Sequence, residues 1–231
     1  MVEVPFPQEA PGRALRQLMG EPVWAAMVGG ATVRRHAIGS TLLRQGEEGQ
    51  HVLALLGGVA KVLRRERGGE LALLAFRGPG EVLGEVAVLD GGTRSANVLS
   101  ITDCTVAVLP KRAFLRFVAD QDLYPTLVRY ALARLRESDL ARVGGDILPR
   151  LAAALLALAE LSAGPPGEPG PPGATVELAL TREELAQHLG VSRNTVSAGL
   201  GDLGPFGVQS ARKRIRLTDL PALRRVVPQQ H

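Results

Sequence analysis

The side chains with the clearest chemistry lie in a short stretch that begins at Ser192. Arg193 and Asn194 follow it, and these residue types can pair bidentately with the major-groove edges of guanine and adenine. Ser192 is a favourable helix N-cap, and helix N-termini attract phosphate. With Thr195 and Ser197 close behind, the pattern predicts a helix whose outward face binds duplex DNA.

A second helix must hold this one in place, and its signals come just before. Thr181 is followed three residues later by Glu184, which together form a capping box, with Arg182 in the first turn. Apolar residues then recur at helical spacing until Gly190, whose permissive backbone allows a sharp turn. Two short helices about a tight turn predict a helix-turn-helix. The alternative is an ordinary helical hairpin with a polar surface.

A basic hairpin is predicted on the C-terminal side of these helices. The run TVELALT indicates a strand, and VQSARKRIRLTD alternates like a hairpin with Arg212, Lys213 and Arg214 at its tip. Such a hairpin is the wing of a winged helix, and it contacts phosphate with little sequence choice. From Thr175 to His231 there are eight Lys and Arg against five Asp and Glu, so much of the net charge of +4 lies at this end.

Composition narrows the remaining classes of protein. The 231 residues are 45% hydrophobic, enough for one large or two ordinary domains. Cys104 is the one cysteine in the sequence, which excludes an internal disulfide and a multi-cysteine metal or iron–sulfur site. No apolar run is long enough to span a bilayer, and the N-terminus lacks a signal-peptide pattern. We therefore expect a cytoplasmic location.

The first half of the chain has a different pattern. A helix is expected from Arg13 to Val28, followed by short apolar runs broken by glycine from Ala31 to Pro110. Strands are expected on both sides of the Gly57-Gly58 turn and after the Gly68-Gly69 turn. Several short strands joined by glycine turns predict an antiparallel barrel or jelly roll.

Two segments of this region have the composition of an anion cradle. The first contains Gly84, Glu85 and Val86, and the second contains Arg94, Ser95 and Ala96. A turn with free N–H groups beside an arginine fork suits phosphate, and a carboxylate can accept from a ribose hydroxyl. A surface ion pair between the arginine and the glutamate is the alternative.

Helices are expected to connect the two halves. The spacing predicts a short helix over Lys111–Ala119 and a long one from Tyr124 to Val143, whose apolar stripe packs on the barrel or against a second copy. Gly144-Gly145 would then form a hinge, and the run from Leu148 to Leu161 predicts a buried helix.

Taken together, the order and spacing of these motifs resemble the cyclic-AMP receptor protein/fumarate-nitrate regulator (Crp/Fnr) superfamily of bacterial transcription regulators. The resemblance rests on RQGEEGQHVLALLGGVAKV, GEVAVLDGGTRSANV, the long helix and TREELAQHLGVSRNTVS. It implies an α+β fold with a double-stranded β-helix (jelly-roll) cyclic-nucleotide-binding-like sensor at 1–120, a dimerisation helix and hinge at 121–145, and a winged helix-turn-helix at 146–231. It also implies a homodimer that binds a two-fold symmetric DNA site and works with RNA polymerase.

The resemblance also assigns roles to the cradle residues. Gly84 and Glu85 would face a ribose, and Arg94 and Ser95 a cyclic phosphate, with cyclic AMP or another cyclic nucleotide as effector. In cyclic-AMP-binding members the long helix offers a Thr/Ser or Thr/Asn pair to the adenine. The corresponding positions here include Arg136, Glu137 and Ser138, which the resemblance makes the candidate residues of the long helix to face the nucleotide. Since these do not match that pair, the cradle has a second interpretation, as a barrel scaffold in which Arg94 pairs with Glu85.

Two further hypotheses stay open at this point. One is a regulator of the same fold that binds DNA without an effector, the barrel serving only for dimerisation. The other is a cupin-type jelly-roll enzyme, which needs clustered histidine and carboxylate metal ligands. The four histidines, His36, His51, His188 and His231, form no such cluster in the sequence, so we expect neither an enzyme nor a metal site.

Overall fold

The computed structural model of the protein describes residues 14–140, 146–162 and 175–227, with only the backbone for 135–140. The predicted Gly144-Gly145 hinge, the end of the long helix at 141–143 and the Pro/Gly-rich segment 164–173 lie outside the described residues.

Within the described residues, eight strands form a jelly roll of two four-stranded antiparallel sheets. The first sheet has the order β1-β8-β3-β6, and the second has the order β2-β7-β4-β5. The strands are β1 (Thr32–His36), β2 (Thr41–Leu43), β3 (His51–Gly57), β4 (Ala60–Arg65), β5 (Leu71–Arg77), β6 (Val82–Leu83), β7 (Asn97–Ser100) and β8 (Cys104–Pro110).

Strand alternation separates two cores. Leu53 and Leu55 point between the two sheets, where they pack with Val106. Val52 and Ala54 point to the opposite face, where helices cover the first sheet. Because successive side chains of a strand point to opposite faces, a strand that is apolar at every position is covered on both sides.

The glycine turns have two different outcomes. The Gly68-Gly69 turn joins β4 and β5 into a hairpin, as predicted. The Gly57-Gly58 turn instead connects strands of opposite sheets, so β3 and β4 are not paired with each other. Gly58 has φ +80°, and a Cβ there would lie 2.0 Å from the Asp103 carbonyl oxygen. Only glycine therefore allows the chain to cross so tightly at this point.

The helices beside the first sheet differ from the prediction at two places. The single helix expected from Arg13 to Val28 is two helices, α1 (Leu15–Met19) and α2 (Glu21–Gly29), because Gly20 interrupts it with φ +82°. A further short helix, α3 (Glu85–Leu89), interrupts the run of short strands expected between Ala31 and Pro110. The helix α4 (Lys111–Asp120) agrees with the prediction.

The long helix α5 (Tyr124–Leu140) is joined to the roll by apolar packing of Leu127 and Tyr130 and by a buried carboxylate. Glu81, which immediately precedes β6, accepts hydrogen bonds from the Tyr130 hydroxyl and the Arg134 guanidinium. Burial raises the pKa of Glu81, and it also raises the pKa of Tyr130 well above its usual value. Two residues of the predicted apolar stripe, Val128 and Leu132, lie on the other side of this helix and are 58% and 48% exposed. These two residues therefore do not pack on the roll.

The C-terminal half forms its own core around a nearly all-apolar helix. It contains α6 (Ile147–Ser162), β9 (Val176–Leu178), α7 (Arg182–Leu189), α8 (Arg193–Asp202), β10 (Val208–Ala211), β11 (Arg214–Leu217) and α9 (Leu220–Arg224), with a 3₁₀ turn at Gly204–Phe206. The three strands pair in the order β10-β11-β9. Val59 and Ile101 of the roll pack into this core, which joins the two halves. Among the described helices, none is long and apolar enough to cross a membrane.

Candidate nucleic-acid interface and ligand cassette

The capping box that opens α7 is formed as predicted. The Glu184 N–H donates to the Thr181 hydroxyl at 3.1 Å, and the Thr181 N–H donates to the Glu184 carboxylate at 2.8 Å. Gly190 ends α7 in the left-handed region with φ +67°. These two local signals fix the direction in which the chain enters α8.

The first turn of α8 presents the predicted DNA-reading side chains. Ser192 caps the helix by accepting from the Thr195 N–H at 3.1 Å. Arg193 and Asn194 are exposed, and within the described part of the chain their side chains have no hydrogen bond or ion pair. The Ser197 hydroxyl is exposed but donates to the Arg193 carbonyl at 2.9 Å. Arg193 and Asn194 are therefore the side chains most free to contact a base.

Among the remaining basic residues of the predicted interface, two lie in an exposed turn and two have a side-chain partner. Arg212 and Lys213 form the exposed turn between β10 and β11. Arg214 is instead held by an ion pair to Glu177 of β9. Arg182 donates to the Ser210 hydroxyl at 3.1 Å, which ties the start of α7 to the wing. We therefore expect Arg214 and Arg182 to position the wing and Arg212 and Lys213 to contact phosphate.

A lysine of the roll holds the helix-turn-helix from the opposite side. The Lys61 ammonium on β4 donates to the Glu184 carboxylate at 2.6 Å and to the Ala179 carbonyl at 2.9 Å. The two side chains are only 9% and 13% exposed. The Ala179 N–H donates to the Ile101 carbonyl at 2.7 Å, so both backbone polar groups of Ala179 are bound to the roll. We call the contacts of Lys61 with Glu184 and Ala179 the clasp.

Two more contacts between α7 and the roll lie along β5. The Gln187 side chain accepts from the Leu73 N–H at 2.7 Å and donates to the Leu71 carbonyl at 3.1 Å. The ring of His188 meets the ring of Phe76 edge to face at 4.9 Å. Burial lowers the pKa of His188, and the charge of Arg150 lowers it further. His188 is thus a neutral ring that packs between the two halves.

The predicted anion cradle, residues 84–86 and 94–96, is called the ligand cassette below. Its arginine hydrogen-bonds to the protein's own backbone. The Arg94 guanidinium donates to the Gly84 carbonyl at 2.6 Å and to the His51 carbonyl. The expected pairing of Arg94 with Glu85 is not what the structure shows, since carbonyl oxygens take the bonds of the fork. Gly84 has φ +81°, and a Cβ there would lie 2.3 Å from the Arg94 guanidinium. Glycine is thus required for this arginine to fold inward.

The other cassette residues are placed unevenly around this arginine. Ser95 and Val86 are exposed, Ala96 is buried, and Glu85 begins α3. Burial raises the pKa of Glu85. The side chains of Arg136, Glu137 and Ser138 lie outside the described residues, so the prediction that they face the ligand stays a prediction.

Sequence reasoning missed Lys61, Gln187 and the partners of Arg94. A lysine inside the apolar run VAKVL is a weak signal that a buried charge needs a partner, and it does not identify that partner. The contacts of Lys61 and Gln187 join residues more than a hundred positions apart. Local periodicity therefore carries no information about them.

Comparisons with known proteins agree with this architecture. The cyclic nucleotide-binding domain family matches residues 33–121, and the Crp-like helix-turn-helix domain family matches residues 149–226. The "CRP-like cAMP-activated global transcriptional regulator" of Mycobacterium tuberculosis is 31% identical over 193 residues, covering 81% of this chain and 84% of the relative. The "Cyclic AMP receptor protein" of Thermus thermophilus is 32% identical over 182 residues, covering 76% and 78%.

Solved structures show the same fold. A transcriptional regulator of the CRP family from Thermus thermophilus aligns with TM-score 0.57 and 27% identity, covering 83% of this chain and 95% of that one. A cyclic-nucleotide-binding protein structure from Ruegeria pomeroyi aligns with TM-score 0.65 over 91% and 92% of the two chains, and at 21% identity it supports the fold alone. From the two domain matches and the similarity over most of its length, the chain belongs to the CRP-like family of transcriptional regulators.

Proposed function

We propose that this regulator binds a two-fold symmetric DNA operator as a homodimer, with α8 of each protomer in the major groove, and acts together with RNA polymerase. Different side chains contact the bases and the phosphates. Arg193 and Asn194 read base edges, while Arg212 and Lys213 of the wing contact phosphate. For the cupin alternative, metal analysis of the purified protein is the test; among the described residues no group of three or more His, Cys, Asp or Glu side chains could hold a metal ion.

The observation that carries the proposal is the exposed first turn of α8. Its backbone is fixed by the Ser192 cap and by the buried residues Val196 and Leu200 behind it, while Arg193 and Asn194 project unpaired within the described chain. A rigid helix with free, planar hydrogen-bonding side chains at its N-terminal end is what direct readout of the major groove requires.

Selection of bound sequences from random duplex DNA tests the proposal. We expect purified protein to enrich an inverted repeat whose half-site centres lie about one helical turn apart. The selection is run without nucleotide, with cyclic AMP and with cyclic GMP, at low and moderate salt. Enrichment of no sequence in any arm would contradict the DNA-binding function.

Dimerisation is proposed through the exposed stripe of α5. Tyr124, Val128 and Leu132 recur every four residues and are each about half exposed, between 48% and 58%. An apolar stripe at this spacing on a long helix suits a parallel helix pair. A second copy of the same stripe is the partner that a two-fold symmetric site calls for.

We expect Leu132→Asp to convert the dimer into monomers of 24.4 kDa, because the charge would be placed in the helix pair. The molar mass is measured by light scattering after size-exclusion chromatography. Val33→Asp is the matched control, since Val33 is another apolar side chain that is 54% exposed but lies on β1. A dimer that survives Leu132→Asp would place the interface elsewhere.

Two hypotheses for control by an effector are proposed: a cyclic nucleotide controls DNA binding, or DNA binding needs no effector. The selection from random DNA described above distinguishes them. The Mycobacterium and Thermus relatives are named for cyclic AMP, which supports a cyclic nucleotide in the cassette. The bonds of Arg94 to the Gly84 and His51 carbonyls support the second hypothesis, in which DNA binding needs no effector and the roll is only a scaffold. Equal enrichment with and without nucleotide would favour this second hypothesis.

A further inference from the structure

A cavity of about 280 Å³ lies beside the cassette, at the end of the roll where β1, β3 and β8 approach β2. Arg34 and His36 alternate on β1 and so share a face, and His51 starts β3 on the other side of β8. The lining includes Arg34, His36, Gln50, His51, Leu42 and Leu53. It thus combines cationic or hydrogen-bonding groups at the rim with an apolar floor.

The electrostatics of this cavity favour an anion. No carboxylate is among its lining residues within the described chain. Burial lowers the pKa of His51, and the positive charges of Arg94 and Arg34 lower it further, while Glu47 opposes them. Glu47 is itself exposed and lies 4.0 Å from Arg44. The net field at His51 is therefore positive, a field that an oxyanion would neutralise.

The cavity differs from the cassette in whether its polar side chains already have hydrogen-bond partners. The Arg94 fork is already bonded to two carbonyls, so an anion in the cassette would have to replace those bonds. The side chains of Arg34, His36 and His51 have no hydrogen bond or ion pair to any described residue. Arg34 is exposed, but His36 and His51 are half-buried, and a partly buried donor without a partner gains more from a ligand than one already satisfied.

We propose that this cavity is a second ligand site of the roll, which binds a small organic anion that carries a phosphate or carboxylate group on an apolar body. The oxyanion lies between Arg34, His36 and His51, and the apolar body lies on Leu42 and Leu53. The volume is near the lower end of the range for ligand pockets, which suits a molecule smaller than a nucleotide. The site is independent of DNA binding and does not require the proposed operator.

Calorimetric titration of the full chain with phenyl phosphate tests the site. Inorganic phosphate supplies the charge without the apolar body, and benzyl alcohol supplies an apolar body without the charge. At constant ionic strength we expect phenyl phosphate to bind most tightly. Absence of binding by phenyl phosphate, or equal binding of benzyl alcohol, would overturn the proposal.

Two neighbouring arginines provide the matched variants. Arg34→Ala removes a charge-assisted contact and should weaken phenyl phosphate binding about tenfold or more. Arg35→Ala removes an arginine that is also exposed but points to the other face of β1, and it should leave the dissociation constant within about twofold. His36→Gln removes the imidazole but keeps a hydrogen-bonding group, and it should give an intermediate loss. If Arg34→Ala and Arg35→Ala have the same effect, the anion binds elsewhere and the proposal fails.

Discussion

Lys61→Met is expected to lower the free energy of unfolding by roughly 3 kcal/mol, because it leaves the Glu184 carboxylate largely buried without a counter-ion. The same change frees the Ala179 carbonyl, which is the acceptor of the second Lys61 bond. Urea denaturation measures the effect. Fluorescence of Trp24, the one tryptophan of the sequence, reports the roll, and far-ultraviolet circular dichroism reports the helices of both halves.

Arg64→Met is the control for this measurement. Arg64 lies on the same strand as Lys61 and also pairs with a glutamate, Glu66, but these side chains are 49% and 44% exposed. An exposed pair of this kind contributes about 0 to 1 kcal/mol. In the double variant Lys61→Met with Glu184→Gln, much of the lost stability should return, since neither charge is then buried alone. A Lys61→Met variant as stable as Arg64→Met would mean that the clasp does not hold the two halves together.

Arg193→Ala is expected to abolish most of the preference for the selected operator. One bidentate contact discriminates between bases by about 1 to 3 kcal/mol, and a symmetric dimer loses it in both half-sites. The affinity for the operator should therefore fall by about a hundredfold or more, while binding to unrelated duplex changes little. Titrations of fluorescent duplexes with the operator and with a scrambled sequence measure the two affinities.

A wing variant gives the contrasting pattern. Lys213→Ala should weaken binding to both duplexes by a similar factor, and it should reduce the slope of log K against log salt by about one for each phosphate that the wing no longer neutralises. Ser197→Ala should change little, because the Ser197 hydroxyl already bonds to the Arg193 carbonyl within the helix. Equal losses for both duplexes in Arg193→Ala would show that Arg193 contacts phosphate and would remove the basis for readout by α8.

The parts of the fold that depend on neighbouring residues were predictable from the sequence. The Thr181–Glu184 capping box, the Gly190 turn and the Ser192 cap each involve residues three or four apart, and all three are present. The wing hairpin with Arg212 and Lys213 at its tip is another such case. In each of them, the residue types and their spacing contain the whole interaction.

The parts of the fold that were not predictable depend on contacts between residues that are distant in the sequence. The run on either side of Gly57-Gly58 has the composition of a hairpin, yet the close approach of Gly58 to the Asp103 carbonyl sends the two strands into different sheets. Arg94 has carbonyl partners, and a carbonyl has no signature in the sequence because every residue carries one. His36 and His51 are isolated in the sequence but line one cavity, since β8 lies between their strands.

The Gln187 amide has a consequence for how this protein behaves when its halves are separated. The strand β5 is the outer strand of its sheet, and Gln187 hydrogen-bonds to its Leu71 carbonyl and its Leu73 N–H. Leu71 and Leu74 of the same strand are already 45% and 41% exposed. In a sensor half expressed alone, the backbone groups of Leu71 and Leu73 would be unpaired beside these leucines. An unpaired strand edge of this kind is a template for strand pairing between molecules. By covering this outer strand, the helix-turn-helix thus also opposes self-association of the sensor half.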